Sequence, residues 1–227
     1  MSNAENYTFE SFILDLESNY CAPKMCIAAC DQPMTAFPLI LYGANGCGKT
    51  HLLLAMRNYV EGKTNSKTKI VNYFSCKDLI DDLVYCLDQN GNSDEFYKKY
   101  LSYDVLLIDN CHYLAGRKAT QEEILRFVEQ FYMKGKTLAL VFDGAIENYD
   151  YIISKIEANY LNFALVKIGM PSDALKTAYI KILCNKMDVT FSDELIDDFL
   201  KQSDMTTLPR IRGAMNKLEF ELNQNGA

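Results

Sequence analysis

The chain has 227 residues, 49% hydrophobic and 23% charged, enough to bury a sizeable interior as one large domain, or a core with a small lid, without covalent staples. A net charge of −7 and a pI near 4.9 weigh against gripping a nucleic-acid duplex unaided, because phosphate neutralisation dominates such affinity. DNA contact is therefore expected only weakly, or through a partner or a further domain.

No apolar run approaches the roughly 20 residues of a membrane span. The N-terminus also lacks the basic-then-apolar layout of a signal peptide, and the reading is a cytoplasmic protein with no membrane partner. Eight cysteines without a C-x-x-C pair, beside two histidines, argue for reduced, mostly buried thiols and against a disulfide framework or a zinc site.

Ser2–Ala4 ("SNA") resembles the remnant of a cleaved expression tag, so the folded domain is expected from residue 5 onward. The first uninterrupted apolar run, Phe37–Tyr42 ("FPLILY"), predicts a strand. A glycine-rich turn follows, and then helical periodicity over Thr50–Val60. "GKTNSKTK", Gly62–Lys69, reads as a solvated loop, not a nucleic-acid patch. Further strands are expected at Lys69–Ser75, Asp104–Asp109, Thr137–Asp143 and Ala164–Gly169. Helices are expected at Lys77–Leu87, Glu95–Leu101, Thr120–Met133 and about Asn148–Tyr160. Strands that are continuous hydrophobic runs, alternating with helices, indicate an α/β fold with a parallel sheet covered on both faces.

After Pro171 the pattern is helical only: Ser172–Asn185, Ser192–Gln202 and about Leu208–Leu222. "SDAL" at Ser172 and "SDEL" at Ser192 each offer a capping serine followed by acids in the first turn. The expected division is a nucleotide-binding α/β core over 5–171 and a small helical lid over 172–227.

"GANGCGKT", Gly43–Thr50, matches G-x-x-x-x-G-K-[ST] and lies between a predicted strand and a predicted helix, as a phosphate-binding P-loop requires. Its glycines let backbone N–H groups close on phosphate oxygens at a positive helix end. Gly43, Ala44, Asn45, Gly46, Cys47, Gly48, Lys49, Thr50 and His51 are the candidate nucleotide-binding residues. Lys49 would reach the β and γ phosphates, and the Thr50 hydroxyl would ligate Mg²⁺. Asp109, ending the strand of "DVLLIDNCHY", is the matching metal-organising carboxylate. Its neighbour Asn110 cannot serve as a base. Asp143, at the end of another strand, could sense the γ-phosphate or position water, or could cap the next segment.

"LILYGANGCGKTHLLLAM" and "DVLLIDNCHYLAGRKATQEEILRFVEQF" together resemble the ATPase domain of the bacterial replication initiator DnaA, an AAA+ family, and its relatives Hda and the DnaC-type helicase loaders. The resemblance runs from "YTFESFI" (Tyr7–Ile13) to "LPRIRGAMNKL" (Leu208–Leu218). It implies a five-stranded sheet of order 5-1-4-3-2, ATP or ADP with Mg²⁺, and assembly with further copies of the chain or another AAA+ replication protein. It implies that Lys49, Asp109, Asp143 and Arg210 form the catalytic set, with Asp143 as first sensor. It further implies that Arg210 would be the lid arginine that reports ATP against ADP, with Arg212 as the second candidate for that part.

Three departures qualify what the resemblance implies. Asn110 replaces an acid, "KIEANY" (Lys155–Tyr160) lacks the arginines the family carries there, and no DNA-reading helix-turn-helix follows the lid helix within the chain. An arginine finger supplies transition-state charge in trans. The expectation is a nucleotide-dependent switch with slow or impaired hydrolysis. The alternative is a divergent, catalytically decayed interaction module regulating replication or a mobile element. A small-molecule kinase shares the P-loop but fits "TQEE" and the C-terminal helices poorly.

Overall fold

A computed structural model describes residues 7–63, 69–202 and 204–225. The tag-like Ser2–Ala4 and residues 64–68 of the expected loop lie outside the described residues. In chain order come α1 (Ala22–Asp31), β1 (Leu39–Gly43), α2 (Lys49–Gly62), β2 (Val71–Ser75), α3 (Cys76–Asn90), α4 (Asp94–Tyr100) and β3 (Val105–Asp109). Then follow α5 (Lys118–Met133), β4 (Thr137–Asp143), α6 (Asp150–Asn159), β5 (Ala164–Lys167), α7 (Asp173–Lys186), α8 (Asp193–Leu200) and α9 (Leu208–Asn225).

All strand pairs are parallel and the order is β2-β3-β4-β1-β5, which is the implied 5-1-4-3-2. Alternation along each strand sorts side chains to two faces. Leu39, Leu41, Val105, Leu107, Ala139 and Val141 join the core beneath α1 and α2. Ile40, Leu106, Ile108, Leu138, Leu140 and Phe142 join the core beneath α3 to α6. Because both faces of the three central strands β1, β3 and β4 are buried, these read as unbroken apolar runs, whereas edge strand β2 is half-buried throughout and edge strand β5 alternates.

The order reverses between β1 and β4, where the first crossover leaves to one side and later ones return on the other. In open α/β sheets ligands bind at that carboxyl edge. Three strand ends meet there: Gly43 pairs with Asp143 across β1 and β4, and Asp109 ends the neighbouring β3.

The structure adds what periodicity did not predict. Helix α1 buries Cys26, Ala29 and Cys30 on one stripe, but its run of small residues and cysteines carries little polar-to-apolar contrast. Asn148–Tyr160 divides into a 3-10 turn, Ile146–Tyr149, and α6. Strand β5 stops at Lys167 instead of Gly169, because the Ile168 N–H closes the ladder on Tyr42 and the Gly169 N–H bonds the Ser18 carbonyl.

Helices α7, α8 and α9 enclose a separate apolar cluster of Ile180, Leu183, Ile196, Phe199, Ile211 and Met215. The Ser172 hydroxyl accepts from the Leu175 N–H and the Ser192 hydroxyl from the Leu195 N–H, both at 3.2 Å. Both serines therefore cap as their sequence context predicts. The start of α9 reaches the Gly43–Thr50 loop: a Cβ at Gly46, whose φ is +82°, would lie 3.0 Å from Thr207 Cβ and 3.2 Å from Pro209 Cδ.

Candidate functional site

The loop after β1 turns on Gly43, where a side chain is excluded: a Cβ would fall 2.1 Å from the Ile168 carbonyl oxygen. It then delivers Lys49 and Thr50 as the first residues of α2. Lys49 is only 5% exposed, yet its ammonium is fully paired. It donates to the carbonyls of Gly43 (2.8 Å) and Ala44 (2.7 Å) and lies 2.8 Å from Asp143 Oδ1. A buried ammonium needs such partners, and here they hold its head at the junction of β1 and β4. Cys47 packs under the loop with its sulfur 3.8 Å from that ammonium. Burial raises the Cys47 thiol's pKa, and the charge of Lys49 works against the rise.

Asp109 is buried and receives three donors. The Thr50 hydroxyl reaches Oδ2 at 2.7 Å, the Tyr73 hydroxyl reaches Oδ2 at 3.0 Å, and the Asn110 N–H reaches Oδ1 at 2.8 Å. Burial, then the charge of Asp109, raises the Tyr73 phenol's pKa, which keeps it a donor. Asn110 takes a left-handed conformation, φ 59° and ψ 40°, that asparagine tolerates better than most residues. Asp143 has a second partner, His112, whose Nδ1 lies 3.0 Å from Oδ2.

A cavity of about 460 Å³ opens over these groups. Asn45, Gly46, Gly48, Lys49, Thr50, Asn110 and Asp143 form its floor. Tyr7 and His51 make one wall, and Tyr179 of α7 with Leu208, Pro209 and Arg212 of α9 make the other. His51 Nε2 is 3.0 Å from the Thr8 carbonyl, and its ring meets Tyr7 and Phe12 edge-on at centroid distances of 5.0 and 5.2 Å. Burial pulls the His51 pKa below the ordinary value, while Thr8 opposes it, so a neutral, aromatic wall is favoured near neutrality. Burial raises the Tyr179 pKa, with Arg212 opposing it and Tyr7 adding to it.

The site thus gathers Gly43–His51, Asp109 and Asp143 at one sheet edge. Arg210 is not brought in. Its side chain is 57% exposed and lies 3.3 Å from Asp204, whereas Arg212 lines the cavity. The cause is helix phase. Ile211 and Met215 turn into the three-helix core, Leu208 and Arg212, four apart, face the cavity, and Arg210 points to solvent. Tyr73, His112 and Tyr179 were absent from the sequence-based set. Each depends on a partner distant in the chain, so no local spacing reveals it.

Lys155, Asn159 and Tyr160 of the expected finger segment line a different, outward groove with Arg126 of α5, and Arg126 is paired with Glu123 on its own helix.

Comparison with known proteins accords with this geometry. The model of the bacterial DnaA ATPase domain matches residues 3–163. The chromosomal replication initiator protein DnaA of Herpetosiphon aurantiacus is 30% identical over 220 residues, covering 96% of this chain and 46% of that protein. Domain III of Thermotoga maritima DnaA superposes with a TM-score of 0.82 at 26% identity, over 97% of this chain and 90% of that one. AMPPCP-bound DnaA from Aquifex aeolicus gives 0.79 at 26% identity, over 94% and 65%. The chain spans less than half the length of the curated relatives it matches. With a phosphate loop, a strand-end carboxylate and the 5-1-4-3-2 sheet in place, this chain belongs to the bacterial DnaA ATPase domain family and has its AAA+ nucleotide-binding fold.

Proposed function

We propose that the chain is the nucleotide switch of a DnaA-like replication initiator: it binds ATP with Mg²⁺, hydrolyses it slowly, and changes the placement of its helical lid, residues 172–227, with nucleotide state. The observation that carries this reading is that Lys49 and Thr50 both line the cavity while the Thr50 hydroxyl lies 2.7 Å from the buried Asp109 carboxylate.

Two hard oxygen donors side by side suit Mg²⁺, which takes few protein ligands and fills its octahedron with water and phosphate oxygens. Thr50 and Asp109 would hold it, and the ion would supply positive charge to the β and γ oxygens. Lys49 and the loop N–H groups orient the phosphates, Tyr73 fixes the Asp109 carboxylate, and Tyr7 and His51 offer the base an apolar wall. Asp143 stands where the γ-phosphate would lie. Arg212 takes the lid-sensor part expected of Arg210, because it is the α9 arginine that faces the cavity.

Slow hydrolysis follows from two features. The Asn110 amide cannot accept a proton from water, and Lys155–Tyr160 holds no arginine to complete a neighbour's site. Partners are a second copy or another AAA+ replication protein, with DNA engaged weakly or through segments outside this domain, in the cytoplasm.

Titration calorimetry with ATP and with ADP, each with and without Mg²⁺, tests the reading. Micromolar or tighter binding that Mg²⁺ strengthens is expected, and no heat from either nucleotide would end it. The same two departures also favour a second reading, a nucleotide-stabilised docking module whose catalysis has decayed. Single-turnover hydrolysis many decades above the solution rate, abolished by Lys49→Ala, would exclude that alternative.

A further inference from the structure

Asp143 is held by contacts that a bound nucleotide must partly undo. Its backbone is pinned on both sides: its carbonyl accepts from the Tyr149 hydroxyl at 2.8 Å, and the next N–H, of Gly144, donates to the Gly43 carbonyl at 2.9 Å. Its carboxylate is divided between two donors, Lys49 at Oδ1 (2.8 Å) and His112 at Oδ2 (3.0 Å). A carboxylate only accepts, so His112 Nδ1 carries the hydrogen in this contact.

Lys49 has three N–H donors. All three are engaged, by the Gly43 carbonyl, the Ala44 carbonyl and Asp143. A phosphate oxygen that recruits Lys49 must therefore displace one of them. The two carbonyls are main-chain groups, Gly43's at the end of β1, where it also accepts from the Gly144 N–H, and Ala44's in the loop. The Asp143 carboxylate can turn about its side-chain bonds, so Asp143 is the partner that gives way. Its carboxylate then faces an incoming anion with one donor left. That donor is His112, which stands on the 3-10 turn Cys111–Leu114 just after β3, its ring 4.4 Å from that of Tyr113.

We propose that His112 is a positioning residue that takes over the Asp143 carboxylate when Lys49 turns to the phosphates, so that the protein's preference for ATP over ADP depends on it. The inference rests on the nucleotide-binding reading above. Without the His112 N–H, the carboxylate stays on Lys49 and competes with the γ-phosphate. ADP, which places no group there, is less affected.

Calorimetric affinities for ATP and ADP in the parent, His112→Phe and His112→Asn proteins test this. Phenylalanine keeps a ring beside Tyr113 and removes the donor, whereas asparagine keeps an N–H near the position of Nδ1. His112→Phe is expected to weaken ATP about tenfold and ADP less than about threefold, with His112→Asn within about threefold of the parent for both. In an Asp143→Asn background, His112→Phe should leave the ATP-to-ADP ratio unchanged, because the two side chains act as one unit.

A His112→Phe protein that keeps the parent's ratio overturns the inference, as does an undiminished effect in the Asp143→Asn background. His112→Leu, of different shape, must behave as His112→Phe does, and a difference between them would mark a packing effect and overturn it also. Binding of neither nucleotide by the parent would overturn the nucleotide reading itself, a distinct result.

Discussion

The two sides of the cavity each present a basic side chain, and they do so by different means. On the sheet side Lys49 is buried and triply paired, at a strand end whose neighbours are fixed in register. On the helical side Arg212 belongs to a three-helix unit with its own small core, which meets the phosphate loop through Thr207 and Pro209. The first group is held by hydrogen bonds in place before any ligand arrives. The second is placed by the rotational phase of one helix and the seating of one unit against another. Preorganised groups suit binding, and a group carried on a separately packed unit suits reporting, since its position can change without disturbing the sheet.

Lys49→Ala should cost nucleotide affinity about a hundredfold or more, because it deletes charge-assisted contacts to phosphate. Calorimetry at fixed Mg²⁺ reads the loss, and an affinity near the parent's would mean the phosphates sit elsewhere.

The helical side should give a smaller and more selective effect. Arg212→Ala is expected to weaken ATP about tenfold while ADP changes little. Arg210→Ala should stay within about twofold for both, since an exposed ion pair contributes little. The reverse ranking would show that α9 turns when nucleotide binds.

The helical unit should lose stability independently of the sheet. Ser192→Ala removes the α8 cap and should lower stability by about 1 kcal/mol, with the loss appearing in the exchange protection of α7–α9 amides and not in those of β1, β3 and β4. Uniform loss across both regions would make the chain one cooperative body.

The smallest effect is expected at Asn110→Asp, which restores an acid beside Asp109 but supplies no neighbouring arginine. Turnover should rise only about twofold to threefold in a single-turnover assay, and a gain of several decades would mean the missing finger is not the limiting departure.

The sequence was most legible where the chemistry is local. "GANGCGKT" has the composition and flanks of a phosphate loop, and Asp109 and Asp143 announce themselves by ending apolar runs. The central strands β1, β3 and β4 were readable because a parallel sheet buried on both faces makes them continuously hydrophobic, and the edge strands β2 and β5 carry shorter, mixed runs. Helix α1 was not, because alanines and cysteines form its buried stripe. Nor was the choice between Arg210 and Arg212. Two residues of difference on a helix is about half a turn, and its sense depends on which side chains the three-helix core claims.

By itself, then, the sequence determined the phosphate loop, the strand-end acids and the α/β alternation, because each is a matter of residue type and short spacing, while Asn110 and Lys155–Tyr160 stand out only against the family the chain resembles. Only the tertiary structure decided that Tyr73 braces Asp109, that His112 and Lys49 share Asp143, and that Arg212 faces the cavity. These contacts join residues up to 94 positions apart (49 to 143), and such pairs are set by sheet order and helix phase, which no local pattern encodes.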